Sequence, residues 1–162
     1  MTTAGKSPES YDFLVDAARK MGAKNTKIIS TSYVFVENRV ALKCRAGCIA
    51  YGKKLTYPPF VPTPDEFRKI LAEYQYALLV KFTSDAEADP DVICSIYKYW
   101  LDPQAPADKK EKAEKFWKDY FQGSREIAPV MLELEKTAFN AGCTLALAFV
   151  NGSCRFCETC NV

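Results

Sequence analysis

The sequence predicts an α/β fold in which a small central sheet is flanked by helices and carries cysteine loops at one edge. Two observations predict it. Short β-prone runs alternate along the chain with stretches of helical apolar spacing, and each of two cysteine clusters follows a strand candidate. The 162 residues are 48% hydrophobic and 26% charged, enough for one packed core without disulfides as staples, so residues 1–162 are expected to form a single metal-binding domain.

The first helix is expected over residues 7–22. Ser7-Pro8-Glu9-Ser10 supplies the start, Phe13, Leu14, Ala17, Ala18 and Met21 recur at helical spacing, and Gly22 ends it. Residues 27–29 and 33–36 are β-prone, and the second run, continued to Lys43, is expected to deliver the chain as a strand into Cys44-Arg45-Ala46-Gly47-Cys48. Pro58, Pro59, Pro62 and Pro64 hold residues 57–63 as an ordered, extended loop. Thr63 or Asp65 caps a helix reaching Glu73, and Tyr76-Ala77-Leu78-Leu79-Val80-Lys81-Phe82 reads as a buried strand.

An acidic turn over residues 84–91 leads to a helix over 92–101 that Asp102-Pro103 stops. Two helices are expected over 107–121 and 126–140, broken near Gly123-Ser124, with Pro129 tolerated in the first turn of the second. Ile127, Met131, Leu134 and Ala138 form a stripe that Leu132 and Phe139 widen, which predicts a helix buried on more than one side. Residues 143–150 read as the last strand. If it and the 33–43 strand are parallel neighbours, both cysteine loops emerge at one sheet edge.

Charge and residue usage exclude much. With 22 basic and 20 acidic side chains the formal charge is +2, too small to draw the chain to nucleic acid or anionic lipid. The lysine-rich stretch 109–118 lies among aromatic residues, but interspersed Asp108, Glu111, Glu114 and Asp119 mark a solvated helix face. Apolar stretches fall short of a membrane span. The absence of histidine removes Ser-His-Asp, Cys-His and HExxH chemistry. Seven cysteines, an odd number, together with an N-terminus lacking an apolar run, place the chain in a reducing cytoplasm.

Cys154, Cys157 and Cys160 are spaced C-x-x-C-x-x-C, which lets three thiolates on one loop reach separate irons of a 4Fe-4S cluster. No fourth cysteine follows, so the remaining ligand is Cys44, Cys48, another distant residue or an exogenous group. Zinc competes, because Cys44, Cys48, Cys154 and Cys157 would complete a tetrahedron of thiolates. Cys94 and Cys143 are expected to be core residues. Tyr51 stands where a radical-SAM motif would need its third cysteine, and neither a G-x-G-x-x-G nor a Walker pattern is present.

Leu42-Lys43-Cys44-Arg45-Ala46-Gly47-Cys48, Tyr51-Gly52-Lys53, Tyr57-Pro58-Pro59 and Pro62-Thr63-Pro64 resemble the predicted metal-binding proteins of anaerobes grouped as domain of unknown function 2284. So do Met131-Leu132-Glu133-Leu134-Glu135, Ala138-Phe139, Gly142 and the triplet Cys154, Cys157 and Cys160. The resemblance implies that Cys44, Cys48, Cys154, Cys157 and Cys160 are the metal ligands and that the cofactor is an iron-sulfur cluster. This chain departs from the family in having Tyr57 where a cysteine usually precedes the Pro-Pro pair, and Tyr57 is expected to pack rather than to ligate.

The leading functional expectation is an electron-transfer or redox accessory role with a redox partner protein, in which Arg45 and Arg155 beside ligand candidates raise the potential or dock an acidic partner. The alternatives are a structural zinc module for protein interaction, or an enzyme with an open iron as Lewis acid. For the last, no acid/base group stands out.

Overall fold

The structure, a computed structural model, describes residues 7–157 and 160. It is an α/β arrangement of five helices and a two-stranded sheet. In chain order these are α1 (Asp12–Lys20), β1 (Asn25–Ser30), α2 (Asn38–Gly47), α3 (Pro64–Leu71), β2 (Tyr76–Lys81), α4 (Ile96–Leu101) and α5 (Ala107–Asn140). Strand β1 pairs antiparallel with β2, in a register running from Asn25 opposite Lys81 to Ser30 opposite Tyr76.

Helix α1 covers this ribbon and touches α5, and the fully buried Ala18 lets the backbones approach. At the other end of the sheet Tyr11 packs its ring on Tyr76 at 5.7 Å. Helix α3 begins with a complete capping box: the Glu66 N–H donates to the Thr63 hydroxyl, and the Thr63 N–H donates to the Glu66 carboxylate at 2.8 Å.

Three expectations are corrected. Residues 38–47 form helix α2, not a strand, because Arg39, Ala41, Leu42 and Lys43 are good helix formers and a helix satisfies their backbone without a neighbouring strand. The segment 143–150 opens with a turn over residues 143–146, closed by the Ala146 N–H on the Cys143 carbonyl, and joins no ladder, so the predicted parallel sheet is instead a two-stranded antiparallel one. Finally, α5 runs unbroken for 34 residues through Gly123, Ser124 and Pro129. The penalty for a helical glycine is only ~1 kcal/mol, and packing on both sides outweighs it.

On its N-terminal half α5 presents Trp117 and Phe121, which pack on Tyr97 and Trp100 of α4 at ring separations of 5.1–6.0 Å, while Phe116 and Tyr120 extend the cluster along α5 itself. On its C-terminal half Ala128, Leu134 and Ala138 are buried. The acidic turn before α4 is fastened by Lys112, whose Nζ lies 2.8 Å from Asp89 and 3.3 Å from Asp91.

Helix α5 ends in a Schellman-type stop. Gly142 takes φ +88°, accessible to glycine without a Cβ clash, and the Cys143 N–H donates to the Ala138 carbonyl. The chain then doubles back along α5: the Ala148 N–H donates to Glu135 at 2.6 Å, and the Arg155 guanidinium lies over the Phe121 ring at 4.2 Å. The two anchor points are ~21 Å apart along the helix, which seven residues of extended chain, spanning ~23 Å, can cover. Among the described residues no helix is long and apolar enough to cross a membrane.

Thr63→Ala should cost ~1 kcal/mol by removing the α3 cap, measured by urea unfolding. The hydrogen bond from Lys112 holds the Asp89 carboxyl below its ordinary pKa. A depressed carboxyl contributes stability above its unfolded pKa, and that stability is lost as the pH falls through the folded value. Unfolding followed from pH 7 to pH 3 should therefore show a shallower acid loss in Lys112→Met than in the parent.

Candidate metal centre

The first cysteine pair lies at the end of α2. Cys44 is in its last turn and Cys48 is its C-cap, and the four-residue spacing sets both on one side of the helix. The chain then makes a series of turns over residues 49–61, with a cis bond between Pro58 and Pro59. These turns bring Tyr57 back onto the helix end, with its hydroxyl 3.3 Å from the Cys44 sulfur. Hydrogen bonding to Cys44, and then to Cys48, holds the Tyr57 phenol protonated well above its ordinary range. Tyr57, expected only to pack, thus places its hydroxyl against the Cys44 thiol.

The second cluster reaches the same turn from the other end of the chain. The Cys154 N–H donates to the Thr56 hydroxyl at 3.0 Å, Lys54 donates to the Cys157 carbonyl at 3.3 Å, and the Leu55 N–H points at the Cys160 sulfur at 3.5 Å. Residues Lys54 to Tyr57 therefore touch Cys44, Cys154, Cys157 and Cys160, although the two clusters are separated by about a hundred positions. The loops meet as expected, but on a turn between them rather than at the ends of parallel strands.

Nothing in the sequence singled out Lys54, Leu55 or Thr56 as the receiving surface. Each of the three contacts has a backbone group on one side, which carries no residue signature. Arg155 had been placed at the surface as a docking or tuning charge. It is half-buried on Phe121 instead, and desolvation lowers its pKa from the ordinary value. The neighbouring Asn151 donates to the Tyr120 hydroxyl at 3.0 Å, so the triplet loop is tied to the aromatic face of α5 as well as to the turn. Of the two cysteines expected in the core, Cys94 is exposed and Cys143 is half-buried.

The donor chemistry suits a thiophilic metal: seven free thiols and no imidazole. The arrangement, however, is open. Among the described residues no three Cys, Asp or Glu side chains converge on a single point, so the two segments adjoin without forming a closed ligand cage.

Comparison with protein-family models matches residues 27–162 to the family described as predicted metal-binding protein (DUF2284), and the chain belongs to that family. Comparisons with curated proteins and with solved structures returned no match. The matched segment begins in β1 and includes all five candidate cysteines.

Tyr57→Phe removes the hydroxyl that bonds to the Cys44 sulfur and should cost the metal-free protein roughly 1 kcal/mol. Denaturant unfolding under reducing conditions measures this, and an unchanged midpoint would mean that the bridge contributes nothing to stability.

Proposed function

We propose that this protein binds an iron-sulfur cluster through Cys44, Cys48, Cys154, Cys157 and Cys160 and serves an electron-transfer or redox accessory role. The observation that carries the reading is the shared turn: Cys44 and Cys154 are both fastened to residues 56–57, and the rest of each cluster lies beside them. Thiolates on two segments fastened to one turn would ligate together once the segments close around a metal. Membership in a predicted metal-binding family supports the same reading.

The triplet spacing favours iron and sulfide over zinc, because three thiolates on one loop suit three corners of a cubane. When bound, such a cluster would supply one-electron redox chemistry. The residues around it would set its environment: the Tyr57 hydroxyl and the Leu55 N–H as donors toward sulfur, and the Arg155 charge close behind the loop. Structural zinc is the second reading, favoured by the four-residue and three-residue spacings of the two cysteine pairs.

Metal and sulfide analysis with an absorption spectrum, on protein purified without oxygen, separates the two. Iron with sulfide and broad visible absorption is the expected result, and stoichiometric zinc in a colourless protein would replace it. Cys157→Ser should abolish bound metal; full occupancy in that variant would remove the triplet from the ligand set.

A further inference from the structure

Tyr57 is held in place by the turns on either side of it. The Tyr57 N–H donates to the Lys54 carbonyl at 3.0 Å and the Phe60 N–H to the Tyr57 carbonyl at 3.1 Å, while the Gly52 N–H donates to the Pro58 carbonyl at 3.0 Å and ties the loop across its neck. Pro58 and Pro59 fix their own φ angles immediately after it. From this backbone the half-buried ring carries its hydroxyl to 3.3 Å from the Cys44 sulfur.

Either atom can donate while Cys44 is a thiol. A cysteine that ligates as a thiolate has no proton to give, whereas a phenol, with an ordinary pKa of about 10, keeps its own at neutral pH. The direction of the bond is then fixed: the Tyr57 O–H donates and the Cys44 sulfur accepts. A donor on a charged sulfur makes a stronger bond than one between neutral groups. From the same turn the Leu55 N–H points at the Cys160 sulfur at 3.5 Å, so residues 55–57 aim a donor at one sulfur in each cysteine cluster. Of the two donors, the hydroxyl is the one that substitution can remove.

Resting on the iron-sulfur reading above, we infer that Tyr57 is a positioning residue that raises the reduction potential of the bound group by donating to Cys44. Reduction adds negative charge that the sulfur ligands share. The Tyr57 O–H holds a more negative sulfur more tightly, so it stabilises the reduced state more than the oxidised one. Tyr57 keeps its proton in both states, so the step moves one electron and no proton. The sequence had given this role to Arg45 and Arg155, the charges beside ligand candidates. Arg155 lies over the Phe121 ring instead, and the donor to sulfur comes from a residue thirteen positions beyond Cys44.

The test is a redox titration of the full chain purified without oxygen, with dithionite as reductant, mediators to maintain equilibrium, and iron and sulfide assayed on each sample. Tyr57→Phe removes the hydroxyl and keeps the ring; it should hold as much iron as the parent and titrate at a more negative potential. Placing 3-fluorotyrosine at position 57 makes the hydroxyl a stronger donor and should move the potential the other way, a reversal that lost packing or lost polarity does not produce. The fluorinated protein decides the matter by itself where Tyr57→Phe fails to retain iron. An iron-loaded Tyr57→Phe at the parent's potential, or a fluorinated protein without a positive shift, would overturn the inference and leave the iron-sulfur reading standing. A parent without iron and sulfide would overturn both, so the assay tells the two failures apart.

Discussion

The continuity of α5 is the constraint on which the rest of the molecule depends. A helix of 34 residues is ~51 Å long, and it gives α1, α4 and the returning C-terminal segment a common surface. Its sequence contains two elements that ordinarily interrupt helices. Proline removes one backbone bond and glycine adds backbone entropy. The helix persists because rings on one half and small buried residues on the other hold both ends in place. The Ser124 hydroxyl, donating to the Tyr120 carbonyl at 2.9 Å, adds a local bond beside Gly123. Gly123 itself faces Ser84, and an added Cβ there would lie 3.3 Å from the Ser84 hydroxyl. The glycine thus gives the acidic turn room to approach the helix.

From that rod the position of the cysteine triplet follows. The chain reverses at Gly142, returns along α5, and is fixed at Glu135, Tyr120 and Phe121 before it meets the turn at Lys54 to Tyr57. These are a few polar contacts and one cation on a ring, each worth about 1 kcal/mol. Bringing together segments a hundred residues apart costs closure entropy that such contacts only partly offset. A metal bound by thiolates from both sides would contribute far more, which fits an arrangement that places donors near each other and leaves them open.

The buried core is thin. Among the described residues the buried apolar side chains are Val92, Leu134 and four alanines, and the larger apolar groups lie partly or wholly at the surface. Small residues let helices approach closely but remove little apolar area from water. The exposed row from Leu145 to Phe149 belongs to the same pattern.

The sequence by itself determined the elements whose signals are local. The Thr63–Glu66 cap, the apolar run from Tyr76 to Val80, the first helix ending at Gly22 and the spacing of the five cysteines were all legible, because capping, periodicity and ligand spacing act over a few residues. Tertiary structure decided the rest. Whether Val40 and Leu42 joined a strand depended on a neighbour that the fold does not provide, and residues 143–150, which begin in a turn, join no ladder for the same reason. Gly123 and Ser124 marked a break that packing against α4 and α1 removed, which leaves Pro129 inside the helix. The turn on which Cys44 and Cys154 are both fastened holds them through the Tyr57 and Thr56 hydroxyls, and single contacts of that kind leave no periodic trace in sequence.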